Sequence, residues 1–354
     1  MERIRILVNC AVQLGVMPKV TSFDVARLAG VSQPTVSRAL RNLPGASPAT
    51  RARVLAAAEE LSYIPSDSGR VLSTRTTRRI AVVSEELTNP YYPELVEPIR
   101  RHLEQHDLRT VLITHTERGQ VGSDLLADGS YDGAILTTTL RGSPLPHDLT
   151  RRGVPHVLVN RVLDVAECPS CGIDNVGGAE LVVELLADLG HREVASLQGP
   201  TFTSTGRERG QALRRALRSR GIPLPRSRIR RIGFDHDAGM TAALDLLDRP
   251  DPPTAVVCGN DVIALGALSA ARLRGIEVPH GLTVIGFDDI AAASWPFVGL
   301  TTIHVDLERL ARIAVECLLA EMNGTSSGAA IHRVPVRLVR RSTHARPPRL
   351  GERN

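Results

Sequence analysis

The stretch VTSFDVARLAGVSQPTVSRALRN, residues 20–42, decides the fold of the N-terminal part of the chain. Ser22 is a suitable N-cap for a first helix, because apolar residues recur after it at helical spacing. Gly30 fits a tight turn, since glycine adopts left-handed backbone conformations without strain. Ser32 suits the N-cap of a second helix, and Pro34 falls in its first turn, where a missing N–H costs little. The stretch therefore predicts two short helices joined by a tight turn.

The second predicted helix has one apolar face and one polar face. Val36 and Ala39 would point into a small core. The residues left on the outer face are Gln33, Thr35, Ser37 and Arg38. Their amide, hydroxyl and guanidinium groups suit base edges and phosphates in the major groove of DNA. A third helix, capped at Ser47, would close the core and complete a helix-turn-helix unit.

Positive charge is concentrated in the same part of the chain. The 354 residues carry a net charge of +5, yet ten lysines and arginines stand against four acidic residues between Pro18 and Arg79. The rest of the chain is therefore close to neutral. This distribution is typical of a protein in which only one segment meets the phosphates of a nucleic acid.

From Ile80 onward the pattern changes to short apolar runs that alternate with amphipathic segments. Such alternation predicts parallel α/β structure, either as one large sheet or as two Rossmann-like lobes. The predicted strands are Ile80–Ser84, Thr110–Thr114, Gly133–Thr137, His156–Val159, Val194–Gln198, Ala255–Cys258 and Thr283–Phe287. The predicted helices are Pro93–Gln105, Gly177–Leu189, Arg207–Arg220, Ala238–Leu247, Val262–Arg274 and Leu307–Met322.

Polar side chains follow several of these predicted strands at the point where each strand ends. They are Asn89, Asn160, Arg161, Asn260, Asp261, Asp288 and Asp289. Ligands bind at the carboxyl ends of parallel strands in α/β sheets. The sequence therefore predicts a ligand site in the second part of the chain.

Several other classes of protein are disfavoured. No apolar run reaches the roughly 18 residues of a membrane span, and the N-terminus lacks the apolar core and cleavage site of a signal peptide. We therefore expect a cytoplasmic, nucleoid-associated protein. The sequence contains no P-loop, GxSxG or HExxH motif, so we expect neither enzymatic activity nor a cofactor.

The cysteines give little support for a metal site. Cys168 and Cys171 have the spacing of one half of a zinc site, but no second CxxC or His pair accompanies them. The five cysteines of the chain also indicate no disulfide framework. We expect two thiols in a surface loop and no bound metal.

The N-terminal motifs resemble those of the LacI/GalR repressors. The run D-V-A-x-x-A-G-V-S-x-x-T-V-S-R spans Asp24 to Arg38, and T-R-x-x-V-x-x-A-x-x-x-L-x-Y-x-P spans Thr50 to Pro65. The resemblance implies an all-α three-helix headpiece. It also implies a second domain with two Rossmann-like lobes, like those of type I periplasmic binding proteins.

The resemblance extends through most of the chain, from residue 20 to residue 342. Its landmarks in the second part are TNPYY (88–92), VNR (159–161), IDN (173–175), LGH (189–191), RER (207–209), GNDVIALGA (259–267), VIGFDD (284–289) and LTTI (300–303).

The resemblance implies which headpiece residues touch DNA. Gln33 and Pro34 would begin the recognition helix, and Arg38 would reach a base. The residues expected on phosphates are Thr21, Ser32, Thr35, Ser37, Asn42, Thr50 and Tyr63. Leu72 matches the minor-groove wedge of a hinge helix that folds on DNA.

The resemblance also implies an effector site between the two lobes. The expected contacts are Tyr91, Tyr92, Arg209, Phe234, Asn260 and Asp288, with Thr205 and Arg161 behind them. Aromatic faces combined with Arg, Asn and Asp suit a sugar, a sugar derivative or a purine-like ring. Plainer roles remain open: Asn260 as a helix cap, Phe234 as a core residue, Asp288 as a loop cap and Arg209 as a solvated side chain.

These observations give a domain plan. Met17 is the expected natural start, so residues 1–16 would be a non-native extension. The later segments are a DNA-binding domain at 17–65, a hinge and linker at 66–79, an effector and dimerisation domain at 80–342, and a disordered tail at 343–354. Within the effector domain, the N-lobe would comprise about 80–174 and 302–323, and the C-lobe about 175–300 and 330–342. Pro98 should kink the first helix of that domain or break its hydrogen-bond ladder.

The implied protein is a homodimeric repressor. It would bind a near-palindromic double-stranded operator, and a small-molecule effector would change its affinity for that operator. Two alternatives are an exported solute-binding protein with the same lobes and an α/β enzyme.

Overall fold

The computed structural model describes residues 20–64, 76–84, 87–114, 121–326 and 328–348. The chain divides between Thr77 and Arg78 into two compact units. The predicted extension 1–16, the start at Met17 and the wedge Leu72 lie outside the described residues.

The first unit contains three helices, Ser22–Ala29 (α1), Gln33–Leu40 (α2) and Pro48–Glu60 (α3). Their apolar faces meet in one core, whose buried residues are Val25, Ala26, Ala29, Val36, Ala39, Val54, Ala57 and Ala58. Gly30 joins α1 to α2 at a φ of 64°, a left-handed conformation that favours glycine. The predicted three-helix headpiece is confirmed.

The cap of α1 differs from the predicted one. The backbone N–H and the hydroxyl of Thr21 both donate to the Asp24 carboxylate, at 2.9 and 2.7 Å. Thr21 is therefore the N-cap, and the prediction that Ser22 caps this helix is wrong. The reason is the acidic residue three positions after Thr21, which completes a capping box.

The other two headpiece caps fall where they were predicted, with one difference in their bonding. Ser47 accepts a hydrogen bond from the backbone N–H of Thr50 at 3.1 Å. Ser32 precedes α2, but its hydroxyl lies 2.9 Å from the Thr35 hydroxyl and makes no bond to the backbone of the helix. The Ser32 side chain therefore pairs with Thr35 instead of satisfying a backbone N–H.

A six-stranded parallel sheet forms one lobe of the second unit. Its strands are β1 (Arg79–Val83), β2 (Arg109–Ile113), β3 (Gly133–Leu136), β4 (His156–Asn160), β5 (Ser170–Ile173) and, late in the chain, β11 (Ile331–Val334). Their spatial order is β11-β5-β4-β3-β1-β2.

A four-stranded parallel sheet forms the other lobe. Its strands are β6 (Val194–Gln198), β7 (Ile229–Arg231), β8 (Ala255–Cys258) and β9 (Thr283–Ile285), in the order β7-β6-β8-β9. An antiparallel pair, β10 (Thr302–Val305) and β12 (Val336–Val339), lies outside both sheets. Two separate sheets confirm the two-lobed alternative over one large sheet.

Helices cover these sheets. They are α4 (Tyr91–Glu104), α5 (Ser123–Leu126), α6 (Leu145–Arg151), α7 (Asn175–Leu189), α8 (Ser204–Ser219), α9 (His236–Leu247), α10 (Asp261–Leu273) and α11 (Leu307–Met322). Helix α11 returns to the first lobe, where it packs against α4 and the strands β3 to β5. Among the described residues, no helix is both long enough and apolar enough to cross a membrane.

The end of the chain is placed differently from the prediction. Strand β11 pairs in parallel with β5 in the first lobe, with Val334 opposite Ile173, so assigning this segment to the C-lobe is wrong. The predicted disorder from residue 343 is also wrong at its start. Thr343 is buried and donates to the Val284 carbonyl at 2.7 Å, and Ala345 accepts from His191. Backbone pairing holds β11, and hydrogen bonds between side chains and backbone carbonyls hold residues 343–345. The apolar pattern encodes neither.

Pro98 lies inside α4, yet the helix continues from Tyr91 to Glu104. The helix is therefore not interrupted at this position, although Pro98 cannot donate to the hydrogen-bond ladder, as predicted. Pro98 is buried along with Leu95 and Ile99, so its ring contributes to the packing of the helix on the sheet. This packing offsets the loss of one backbone hydrogen bond.

Candidate functional site

The outer face of α2 carries the residues predicted to read DNA bases. Val36 and Ala39 pack into the headpiece core, so the opposite side of the helix faces outward. Pro34 and Arg38 lie about one turn apart and are exposed, while Gln33 is half-buried. The structure thus leaves these three side chains at the surface, and their roles on DNA stay predictions.

The predicted phosphate contacts also lie at the headpiece surface. They are Thr21, Ser32, Thr35, Ser37, Asn42, Thr50 and Tyr63. Thr21, Ser32 and Asn42 are exposed and the other four are half-buried. Thr21 and Ser32 are the N-caps of α1 and α2, where backbone N–H groups favour phosphate.

One headpiece contact was not predicted. Gln33 Nε2 donates a hydrogen bond to Ser22 Oγ at 3.2 Å. The bond joins the first residue of α1 to the first residue of α2. Local sequence patterns carry no signal for it, because the two residues are in contact only after the helices have packed.

In the second unit, polar and aromatic side chains converge at the carboxyl ends of the strands and form what we call the interlobe cleft. Its lining residues are Asn89, Tyr91, Tyr92, Asn160, Thr205, Arg209, Phe234, Asn260 and Asp288. Seven of the eight predicted effector contacts are among them, and Arg161 is the exception. The cavity that they enclose measures only about 20 Å³. The side chains therefore nearly fill the cleft.

Arg209 on α8 is the most heavily bonded side chain in the interlobe cleft. Its guanidinium pairs with the Asp288 carboxylate at 2.9 Å and donates to the Gly259 carbonyl at 2.7 Å. It also donates to Asn175 Oδ1 at 2.9 Å and lies 3.7 Å from the centre of the Phe287 ring. Arg209 is only 5% exposed, so the alternative of a solvated arginine is wrong.

Asp288 follows β9 in an unusual backbone conformation, with a φ of 116°. Positive φ strains a residue that is not glycine, and such strain concentrates at functional sites. Burial raises the pKa of the Asp288 carboxyl to about 6, although Arg209 acts in the opposite direction. The carboxyl therefore titrates close to neutral pH instead of near its ordinary value of 3.8.

Two tyrosines of α4 form the first-lobe side of the interlobe cleft. The rings of Tyr91 and Tyr92 pack edge to face, with centroids 5.4 Å apart. The Tyr91 hydroxyl donates to Asn160 Oδ1 at 3.2 Å, and burial raises the pKa of this phenol further above its ordinary value. Tyr91 thus remains a neutral donor, while the asparagine side chain at the end of β4 fixes its direction.

Arg161 lies behind the cleft, as predicted. Its guanidinium carbon is 5.8 Å from the Tyr92 ring centre and 5.9 Å from the Phe234 ring centre. A donated hydrogen bond to the Thr138 carbonyl at 3.2 Å anchors it from the first lobe. Arg161 therefore supports two aromatic rings that line the cleft.

Asn260 is a helix cap and also lies at the surface of the interlobe cleft. Its Oδ1 accepts from the backbone N–H of Ile263 at 2.9 Å, which makes it the N-cap of α10. It also lines the interlobe cleft. The cap fixes the amide, so its NH₂ group has a defined position relative to the cleft.

Two buried residues near the cleft were not among the predicted effector contacts. Asn175 holds Arg209, as described above, and also donates to Glu208 Oε2 at 2.8 Å. Asp261 accepts from the Ile290 N–H at 2.9 Å and from the Thr302 hydroxyl at 2.5 Å. Asp261 follows a predicted strand and was named among the polar residues at strand ends, whereas Asn175 follows β5, a strand that the sequence did not predict.

Several hydrogen bonds connect the lobes around the cleft, including one from the Val162 N–H to Ser204 Oγ at 3.0 Å. Glu94 on α4 accepts from the backbone N–H of Ala291 at 3.0 Å, and the Arg141 N–H donates to the Phe202 carbonyl at 3.0 Å. Residues 94 and 141 belong to the first lobe, whereas 202 and 291 belong to the second. These bonds would have to break if the lobes moved apart.

The cysteine prediction requires a correction. Cys168 is 5% exposed, and Cys171 is fully buried within β5. Cys171 therefore lies in a strand between β4 and β11, and Cys168 lies in a buried segment just before that strand instead of at the surface. Across the described parts of the chain, no group of His, Cys, Asp and Glu side chains is placed to hold a metal ion.

Comparison with known proteins assigns these features to a family. Residues 23–66 match the lacI family of bacterial regulatory proteins, and residues 183–344 match a periplasmic binding protein-like domain. The transcriptional repressor CytR of Escherichia coli strain K12 is 36% identical over 92% of this chain and 97% of its own length. The chain belongs to the LacI family.

Solved structures of this family are also similar. The operator-bound lac repressor dimer with the anti-inducer ONPF has a TM-score of 0.80 at 28% identity, covering 92% of this chain and 99% of that chain. The transcriptional regulator CelR in complex with cellobiose has a TM-score of 0.70 at 30% identity, covering 92% of this chain and 100% of that chain. The proteins of this LacI-family set are DNA-binding regulators and not enzymes.

Proposed function

We propose that this LacI-family protein is a dimeric repressor whose affinity for an operator is controlled by a small molecule in the interlobe cleft. The observation that carries the proposal is that one chain combines a helix-turn-helix unit with a cleft where seven predicted contact residues converge. A solute-binding protein does not need the first feature. An operator-binding protein without ligand control does not need the second.

Different residues of the headpiece would contact the bases and the phosphates of the operator. Gln33, Pro34 and Arg38 would face base edges in the major groove. The surface hydroxyl and amide groups named above would hold the headpiece on phosphates. Leu72 would enter the minor groove, a role that the resemblance alone supports. A protein with this role works in the cytoplasm, where the nucleoid lies.

The chemistry of the interlobe cleft supports a sugar or a sugar derivative as the effector. Asp288 and Asn160 offer oxygen acceptors, Arg209 and Asn260 offer donors, and aromatic rings flank them. This combination matches the hydroxyl groups and the apolar faces of a sugar ring. The CelR structure, which contains cellobiose, supports the same class of ligand.

The size of the cleft supports a conformational response. A cavity of about 20 Å³ has room for roughly one water molecule. A sugar must therefore displace side chains and separate the lobes, which breaks bonds such as the one from Ala291 to Glu94. Binding of the ligand is thus linked to the lobe arrangement, and the lobe arrangement to the spacing of two headpieces in a dimer.

A binding selection tests the proposal. The purified protein is incubated with duplexes of random sequence, and the retained duplexes are sequenced. We expect an enriched inverted repeat, and we expect at least one member of a panel of mono- and disaccharides and nucleosides to change the affinity for it at a fixed salt concentration. Equal retention of random and selected duplexes with every compound would contradict the proposal.

A further inference from the structure

The contact between Gln33 and Ser22 joins the recognition helix to the helix before it. Gln33 is the first residue of α2, and its Nε2 donates to Ser22 Oγ at 3.2 Å. The contact is partly buried, so water competes for it less than at a fully exposed site. It therefore restrains a side chain that lies at the end of the helix expected to enter the groove.

The hydroxyl groups next to Ser22 and Gln33 in the sequence have other hydrogen-bond partners. The hydroxyl of Thr21 bonds to Asp24, so α1 does not need Ser22 as its cap. The hydroxyls of Ser32 and Thr35 pair with each other at 2.9 Å. The local arrangement therefore directs the Gln33 amide toward Ser22.

Restraint matters because a glutamine amide is nearly symmetric in shape but not in chemistry. It carries one acceptor oxygen and two N–H donors, and a half-turn of its terminal torsion exchanges the two ends. In this structure Nε2 faces Ser22 and donates one N–H to it, so the second N–H and Oε1 remain available to a base. Adenine presents an N7 acceptor beside an N6–H donor in the major groove, whereas guanine presents two acceptors.

Pro34, the next residue, cannot form hydrogen bonds with a base. Its pyrrolidine ring leaves it with neither a backbone N–H nor a polar side chain, so it can make only van der Waals contacts. Recognition by hydrogen bonds at the start of α2 therefore depends on Gln33. An amide that rotated freely would read adenine less selectively than one held in a single orientation.

We propose that Ser22 is a positioning residue for operator specificity: it holds the Gln33 carboxamide in the orientation that recognises adenine. The inference rests on the proposed function, since it assumes that α2 reads the major groove. It adds a residue on the preceding helix to the determinants of the sequence preference.

The test compares base preferences of four variants with those of the wild-type chain. Ser22→Ala removes the hydroxyl. Ser22→Thr and Ser22→Val form a matched pair of similar shape, of which only threonine keeps the hydroxyl. Gln33→Ala removes the amide itself. Each full-length protein is used to select duplexes from a library randomised at every operator position, and its affinity for random duplex reports whether the headpiece is folded.

We expect the wild-type chain and Ser22→Thr to prefer adenine at one position of each half-site, and Gln33→Ala to lose that preference. Ser22→Ala and Ser22→Val should lower the preference at the same position by roughly 3- to 10-fold, the worth of one hydrogen bond, with the other positions unchanged. The inference is overturned if these two variants keep the adenine preference or weaken all positions equally. It is also overturned if no adenine preference depends on Gln33. Failure of the wild-type chain to select any inverted repeat would instead refute the proposed function.

Discussion

Arg209 and Asp288 form a buried ion pair at the centre of the interlobe cleft, and each is held by its surroundings. Their side chains are 5% and 6% exposed, and the Gly259 carbonyl and Asn175 occupy other donors of Arg209. A buried charge that loses its partner is costly, typically about 3–5 kcal/mol. The pair is therefore both a structural element of the second lobe and the main polar feature that a ligand would meet.

Arg209→Ala should abolish the response to the effector while operator binding persists, because the headpiece forms a separate unit. The measurement is a gel-shift titration of the selected operator with and without the effector. Arg215→Ala is the matched control, since Arg215 is an exposed residue of the same helix. An unchanged response in Arg209→Ala would show that the cleft assignment is wrong.

The raised pKa of Asp288 gives a second prediction for the same cleft. With a pKa of about 6, the carboxyl is mostly protonated at pH 5 and mostly ionised at pH 7. If the effector donates its hydroxyl groups to the ionised form, its affinity should rise with pH and be about tenfold higher at pH 7 than at pH 5. Calorimetric titration at several pH values measures this rise. Asp288→Asn cannot ionise and should bind weakly with little pH dependence, so an equally steep pH profile in that variant would exclude Asp288 as the titrating group.

At the scale of elements, regular apolar runs were sufficient to predict the main strands and helices of the second unit. Five of the described strands were missed, and two of these have weak patterns. Strand β5 reads SCGI and β7 reads IRR, so neither shows a run of β-branched residues or a clear alternation. These segments become strands because neighbouring strands pair with them. The short helices α5 and α6 likewise have too few turns to show a period.

The grouping of the cleft residues was predicted better than the element boundaries. Residues at strand ends can be located from the order of the strands alone, since parallel strands place their carboxyl ends on one edge. Contacts such as Asn175 to Arg209, or Gln33 to Ser22, depend on how helices pack. Side-chain pairing between distant segments was therefore the part that sequence patterns could not supply.

Helix α4 gives a prediction at this scale, because its Glu94 accepts from the Ala291 N–H of the other lobe. Burial raises the pKa of the Glu94 carboxyl, which indicates a partly desolvated contact. Glu94→Ala should make lobe separation easier by about 1 kcal/mol, and so speed effector association roughly fivefold. Trp295, the single tryptophan of the chain, lies close to Ala291 in sequence and can report the rates by stopped-flow fluorescence.

Glu97→Ala is the control for this experiment. Glu97 lies on the same helix but is exposed, and its partners Arg100 and Arg101 are also on α4. It should leave the association rate unchanged. Equal rates for Glu94→Ala and the wild-type chain would mean that the Glu94 contact does not resist lobe separation.

At the scale of the whole molecule, the second lobe exposes an apolar surface that a dimer would bury. Trp295 and Phe297 are 50% and 83% exposed, with ring centroids 5.6 Å apart. They border a groove of about 800 Å³ that Leu265, Leu268 and Val298 also line. A continuous exposed apolar surface of this kind is typical of an interface between proteins.

Phe297→Ser should therefore weaken self-association, because an exposed aromatic side chain at the centre of an interface is commonly worth 2 kcal/mol or more, about a 30-fold change in the dissociation constant. Sedimentation velocity across a range of concentrations measures the change. Phe202→Ser is the matched control, since Phe202 is 56% exposed but lies beside the interlobe cleft instead. A monomer contacts one half-site at a time, so Phe297→Ser should also reduce the advantage of a full inverted repeat over a single half-site. If Phe297→Ser is dimeric over the same concentration range as the wild-type chain, the dimer uses another surface. In that case the preference for the inverted repeat should also be unchanged by the substitution.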